Sequence, residues 1–282
     1  MTTLSTHRMY STNEDDGPLV FKIGGTTLEE QSSTPDLWRA VVELAQKHPT
    51  GVVLLHGGGK AVDRHLARLN LTTQRREGIR ITPPEHMNEI VSILAGSVNK
   101  GLVAAINAVG GRAVGVCLGD GGPGGAVPTA KTTRFRFDPG SVGDVLPGPG
   151  GELLRVLLRE KYLPVVSSIG IDSRGTFLNV NADDAAAGVA AAIRASSLVL
   201  LTDVPGVLSK SGALIPSVTP EEIEALIDDE TIRGGMIPKA RAAAQAARDL
   251  DAPVVILSGN DPAAFERYVR GGEAGTRIVT TR

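Results

Sequence analysis

Cysteine is almost missing from this sequence: Cys117 is the only one in 282 residues. No intrachain disulfide can staple the fold, which fits a reducing compartment. Set in the apolar run Ala113-Val114-Gly115-Val116-Cys117-Leu118, the thiol reads as a buried filler. Aromatic residues are scarce too, at 3%, which leaves few ring faces to stack on single-stranded nucleic acid. Charge of one sign is also lacking. The formal net charge is −2, so no global basic field draws nucleic acid or an anionic membrane. Apolar runs such as Ser197 to Leu201 have the length of strands, and none reads as a bilayer span. Residues 1–17 carry neither the basic start nor the apolar stretch of a secretory signal. They read as a disordered polar tail on a cytoplasmic protein, ahead of one folded unit over 18–282.

Glycine is plentiful, at 34 residues, and it clusters where apolar runs end. Short apolar runs alternate with helical patterns along the chain. Strands are expected at Leu19 to Ile23, Gly51 to Leu55, Ala113 to Leu118, Leu163 to Ser168, Leu198 to Thr202 and Val254 to Leu257. Helices are expected from Thr34-Pro35-Asp36 to Lys47, Lys60 to Leu69, Pro83-Pro84-Glu85 to Ala108, Gly151 to Glu160, Ala182 to Ala195, Pro220 to Asp228 and Pro238 to Leu250. Phe135 to Phe137 suggests a hairpin strand within the Gly/Pro-rich stretch 119–151. This alternation predicts an α/β fold with a mostly parallel sheet, buried on both faces. Ligands of such sheets bind beyond the carboxyl ends of the strands, where Gly24-Gly25, Gly57-Gly58-Gly59, Thr202-Asp203 and Ser258-Gly259 fall.

Six of these segments carry chemistry. In Lys22-Ile23-Gly24-Gly25, a lysine at the end of an apolar strand is costly to bury unless it meets an anion. The glycines after it allow backbone N–H groups to face a phosphate; the plain alternative is an edge lysine beside a turn. His56-Gly57-Gly58-Gly59 spends three glycines between a strand and a helix, again suited to cradling an anion. Its spacing is neither that of a P-loop nor that of a dinucleotide fingerprint, and His56 reads as structural. Arg80, in Gly78-Ile79-Arg80-Ile81-Thr82, is either a surface arginine or a bidentate carboxylate ligand. Asn179-Val180-Asn181-Ala182-Asp183 offers two amides and a carboxylate where one helix cap would do. Thr202-Asp203-Val204-Pro205-Gly206-Val207 ends a strand at a position suited to a nucleotide. Lys239, in Gly234-Gly235-Met236-Ile237-Pro238-Lys239, puts a cation at a helix N-terminus, which is unfavourable unless an anion sits between them.

Taken together and in this order, the six segments resemble the amino acid kinase family over about Leu19 to Ile278. The resemblance implies an open αβα sandwich with a mostly parallel central sheet, of the carbamate kinase-like type. An N-lobe over about 18–178 would bind the acceptor and dimerise, and a C-lobe over about 179–282 would bind ATP. The implied reaction is transfer of the γ-phosphoryl group of MgATP to a carboxylate, with N-acetyl-L-glutamate first among acceptors. An acylated or carrier-bound amino acid of the aminoadipate type, or a non-catalytic regulatory relative, stays open. By the same resemblance Lys22 and Lys239 are catalytic, and Asp183 holds both. Gly24, Gly25 and Gly58 bind phosphate, while Gly58, Gly59, Arg80 and Asn179 bind the acceptor. The nucleotide falls to Thr202, Asp203, Val204, Gly206, Val207, Leu208, Thr231, Ile232, Arg233, Gly235 and Met236. No dedicated metal site is implied, because Mg2+ would be held mainly by the nucleotide phosphates. Arginine-inhibited members link dimers through an extra N-terminal helix. Residues 1–17 are short and polar, so an arginine-insensitive homodimer is expected. Ser258-Gly259-Asn260-Asp261 stands where many members have Asp-Gly-Arg, and contacts there do not carry over.

Overall fold

The computed structural model describes residues 17–24, 28, 35–122, 125–148 and 150–280. Among them an eight-stranded sheet runs through the centre, in the order β12-β14-β13-β11-β1-β2-β8-β5. The strands are β1 (Leu19–Ile23), β2 (Val52–His56), β5 (Ala113–Cys117), β8 (Leu163–Ser167), β11 (Ser197–Thr202), β12 (Ser217–Val218), β13 (Val254–Ser258) and β14 (Thr276–Ile278). All neighbours pair in parallel except β13 with β14. Strand β1 shows why the apolar runs are unbroken. Val20 packs into one core while Leu19, Phe21 and Ile23 pack into another on the opposite face. Successive side chains leave a strand on opposite sides, so a sheet covered twice needs apolar residues at every position.

Helices supply the two covers. One face carries α1 (Pro35–Lys47), the last part of α3 (Pro84–Ala108) and α8 (Pro262–Val269), through Trp38, Val41, Leu102, Ile106 and Phe265. The other carries α4 (Glu152–Arg159), α5 (Ala182–Ile193) and α7 (Met236–Leu250), through Leu154, Ala186, Val189, Ala243 and Ala247. Alanine and glycine in α5 let it come close. A Cβ on Gly188 would lie 2.4 Å from a methyl of Val145.

Helix α3 starts as a 3-10 turn at Pro84–His86 and widens into a π-helical turn at Ser92–Val98. By length and composition it could cross a membrane, against the expectation that no segment could. In the fold it is a packed element, with Leu94 and Val98 buried besides the residues already named. The 119–151 stretch also differs from expectation. Phe135 to Phe137 is not a strand. The strands nearby are β6 (Thr129–Lys131) and β7 (Val142–Val145), which join β9 (Ile169–Ile171) and β10 (Phe177–Val180) in a second sheet. Phe135 and Phe137 pack on each other, and Arg76 lies over the Phe137 ring at 4.5 Å. The spacing G-x-G-x-x-G does occur once, at 119–124. The next described element is β6 rather than a helix, so no dinucleotide fingerprint forms. Among the described residues there are also a hairpin of β3 (Gln74–Arg76) and β4 (Ile79–Ile81) and the helices α2 (Gly59–Arg68) and α6 (Pro220–Asp228).

Candidate active site

The carboxyl ends of β11, β1 and β2 lie side by side. Lys22 is level with Leu55 of β2 and Leu200 of β11, and Ile23 is level with His56. The chain that leaves these three strands therefore passes one small region. It carries Gly24 after β1, Gly57 to Gly59 after β2 and Asp203 after β11. Gly25 lies outside the described residues.

Lys22 pairs with Asp183 across 2.9 Å, and its side chain is 14% exposed. The lysine folds back over its own strand end, because a Cβ on Gly24 would sit 2.9 Å from Nζ. Asp183 is available for this because it does not cap its helix. Asn181 does, accepting hydrogen bonds from the N–H groups of Asp183 and Asp184 at 2.8 and 3.2 Å. The expectation that Asp183 holds both lysines is corrected here. Lys239, in the first turn of α7, pairs instead with Asp203. Each lysine thus has a carboxylate of its own. The Lys239 ammonium holds the Asp203 carboxyl below the usual carboxylate range, with Lys60 adding a smaller field.

Gly58 has a φ of +148°, which excludes other residues, and a Cβ there would meet Leu94 at 2.8 Å. The three glycines border a cavity of about 160 Å³ that is also lined by Arg75, Arg80, Ser168, Asn179 and Asn181. Gly58, Gly59, Arg80 and Asn179, expected to act together, are therefore brought together. Arg80 is no surface arginine. It is 7% exposed, forms an ion pair with Asp63, and donates to Gly59 O at 3.0 Å. Asp63 also takes Arg75, at 3.0 Å. Burial pushes the Asp63 carboxyl up, but hydrogen bonds and charge from the two arginines outweigh this and leave it below its ordinary value. Asn179 donates to Thr82 Oγ1 at 3.1 Å.

Sequence reading missed Arg75 and Asp63. The signal for them was weak: a basic pair in a three-residue strand, and one carboxylate on a helix face.

A second cavity, of about 280 Å³, is lined by Val204, Pro205, Gly206, Val207, Leu208, Thr231, Ile232, Arg233 and Met236. All but Pro205 were expected to face a nucleotide. Three others do not line it. Thr202 closes the strand end by bonding the N–H and C=O of Val204, Asp203 is taken by Lys239, and Gly235 is the N-cap of α7. At the turn, Gly206 has a φ of +147°, and a Cβ there would lie 2.6 Å from Thr276 Oγ1.

Cys117 is half-buried rather than fully buried, and accepts a hydrogen bond from the Ser167 hydroxyl at 3.3 Å. Burial pushes its thiol pKa up, so it is a poor nucleophile.

Known proteins match this arrangement. Residues 17–258 match the Amino acid kinase family. Acetylglutamate kinase of Proteus mirabilis (strain HI4320) is 38% identical over 262 residues, spanning 93% of this chain and 99% of that protein. N-acetylglutamate synthase from Neisseria gonorrhoeae, solved with coenzyme A and N-acetyl-glutamate, superposes with a TM-score of 0.77 at 22% identity. The match spans 94% of this chain and 60% of that one. Carbamate kinase from Giardia lamblia bound to AMP-PNP gives 0.68 at 15% identity, over 95% of this chain and all of the other. At these identities the two superpositions speak for the α/β fold, while the family match and the Proteus relative go further: the chain belongs to the amino acid kinase family.

Proposed function

We propose that this chain transfers the γ-phosphoryl group of ATP to the side-chain carboxylate of N-acetyl-L-glutamate. The products would be N-acetyl-L-glutamyl 5-phosphate and ADP, a step of arginine biosynthesis. One observation carries the reading. Two lysines, each kept in place by its own carboxylate, serve adjoining strand ends beside a turn of bare glycine amides: Lys22 from the end of β1 on Asp183, and Lys239 from the first turn of α7 on Asp203, just after β11. The 38% identical Proteus acetylglutamate kinase supports the choice of acceptor.

The chemistry needs little else. A carboxylate is already ionised at neutral pH, so no general base has to deprotonate the nucleophile. Its oxygen attacks Pγ, the bond from Pγ to the β–γ bridging oxygen breaks, and ADP leaves with the electron pair. The obstacle is that an anion must approach a polyanion. Positioned cations and N–H groups lower that barrier. Lys22, Lys239 and the N–H of Gly58 fill these roles, and Arg80 with Asn179 holds the α-carboxylate away from the reacting end. The larger cavity at 204–208 and 231–236 would take the nucleotide. Asp183 and Asp203 are engaged by lysines, so Mg2+ would arrive on the nucleotide phosphates, where it screens their charge.

A homodimer completes the reading. Helix α3 is long and apolar, yet only 33% of its most apolar stretch is buried within one chain. A second copy would cover the remainder, in a cytoplasmic enzyme insensitive to arginine. Sedimentation as a monomer or hexamer, or inhibition by arginine, would count against this part.

The test of the activity is an ADP-release assay on purified protein, with hydroxylamine present to trap acyl phosphate. ADP and hydroxamate should form with N-acetyl-L-glutamate and not without it. Turnover on an acylated or carrier-bound aminoadipate in preference would replace the acceptor. Absence of turnover on every carboxylate tried would reject the kinase reading.

A further inference from the structure

Strand β2 ends on a histidine that is fully buried. His56 Nδ1 lies 2.8 Å from Gly57 O, and Nε2 lies 3.0 Å from Asn99 Nδ2. A carbonyl only accepts, so Nδ1 carries the proton. The Asn99 amide is oriented by its other bonds: Nδ2 donates to Val165 O at 2.9 Å, and Oδ1 accepts from Lys100 Nζ at 3.2 Å. Its NH2 therefore donates to Nε2, which must hold a lone pair. Every partner asks for the neutral imidazole with hydrogen on Nδ1. Burial drives the pKa down to about 4; the bond to Gly57 opposes this and the Lys100 charge adds to it.

This fixes more than a side chain. A trans peptide is planar, with its C=O and its N–H pointing in opposite directions. The Gly57 carbonyl and the Gly58 N–H belong to one peptide. With the carbonyl drawn inward onto His56, the N–H must point away from the core, on the side where the glycines border the cavity. Neighbouring bonds hold the flanks: Gly57 N–H donates to Ile23 O at 3.3 Å, and Gly58 O accepts from Val62 N–H at 3.0 Å. Between two glycines a peptide otherwise turns over at little steric cost.

We propose that His56 is a positioning residue for phosphoryl transfer, locking the Gly57–Gly58 peptide so that the Gly58 N–H faces the transferred group. The inference rests on the assignment of Gly58 to the phosphoryl centre. His56 touches neither substrate and exchanges no proton during turnover.

The test compares two substitutions of similar size. His56→Asn places an amide donor near the position of Nδ1, and His56→Gln places one near Nε2. Both remove the ring, so a role in packing alone would make them equal. The expected result is kcat within about fivefold of the parent for His56→Asn and about a hundredfold loss for His56→Gln, with both KM values little changed. Equal kcat in the two variants, or full activity in His56→Gln, overturns the proposal. Should neither variant fold, 15N NMR of histidine-labelled parent protein decides. One histidine should stay neutral and protonated on Nδ1 between about pH 5 and pH 9; a proton on Nε2, or titration in that range, overturns the proposal. Lys22→Ala is measured alongside. Its loss of kcat with His56→Gln unaffected sinks the inference alone, whereas full turnover in Lys22→Ala sinks the assignment of the centre and this inference with it.

Discussion

The two cavities bordered by the glycine turns after β2 and β11 are built on different plans. Beside the smaller one, the cations are enclosed and each is paired. Arg80 is almost fully buried and Lys22 is 14% exposed, while their partners Asp63 and Asp183 are 38% and 44% exposed. The larger one is walled by backbone turns and apolar side chains, and the lysine beside it is 40% exposed on a carboxylate that is 61% exposed. The contrast has a physical reason. A small carboxylate is oriented by a few fixed charges, whose strength depends on exclusion of water. A nucleotide presents a broad apolar face, and its phosphates bring their own charge and metal. On the proposed assignment of the acceptor to the smaller cavity, enclosed cations are thus concentrated where the smaller ligand needs them.

The largest expected effect tests whether both lysines serve one centre. Lys22→Ala and Lys239→Ala should each lower kcat by a factor corresponding to roughly 2–4 kcal/mol of lost transition-state stabilisation. Replacement by arginine sharpens the contrast. The enclosed Lys22 site should reject the larger, flat cation, while the more open Lys239 site should retain part of its activity. Steady-state kinetics on the four variants suffices, and near-normal turnover in both alanine variants would break the scheme.

Next in size is a pH effect confined to the enclosed side. His56 has a folded-state pKa of about 4 against an ordinary 6.5. The unfolded chain therefore takes up a proton that the folded one refuses. Its contribution is fully present above pH 6.5 and is lost as pH falls toward 4. The loss approaches about 3 kcal/mol, the equivalent of the difference between those two values. Urea unfolding of the parent at neutral pH and near pH 4.5 measures it, with His56→Asn as the reference that lacks this group. Equal pH dependence in the two would show that the histidine is not the source.

Smaller again, Arg80→Ala should raise the acceptor KM at least about tenfold, with the ATP KM unchanged, since its guanidinium lines only the smaller cavity. An unchanged acceptor KM would move the α-carboxylate elsewhere.

Much of this architecture was legible in the sequence, for reasons particular to it. A sheet covered on both faces writes itself as unbroken apolar runs, so β1, β2, β8, β11 and β13 were found within a residue or two. Glycine turns at their ends located both cavities. Pairing between charges was not legible, because it depends on which strand ends become neighbours. Lys239 lies 36 positions from Asp203 and was expected on Asp183. Arg80 meets Asp63 only because the β3–β4 hairpin folds back over α2. The short strands β9, β10 and β14 were also hidden, since they lack the long apolar signal of the buried sheet.

The smallest expected effect is the one that most directly opposes the two lysine pairs. Removing Asp183 leaves a lysine in a site with little water to replace the lost partner, and an unpaired, largely enclosed charge is costly. Removing Asp203 leaves Lys239 with solvent at hand, and exposed pairs of this kind contribute about 0–1 kcal/mol. Asp203→Asn should therefore shift the urea midpoint little, and Asp183→Asn clearly more, at the same pH and salt. Added salt should narrow the effect of Asp203→Asn and leave that of Asp183→Asn largely in place, because screening reaches exposed charges first. If the two variants lose equal stability and respond alike to salt, the lysines are held equally firmly, and the division between an enclosed and an open half of the site fails.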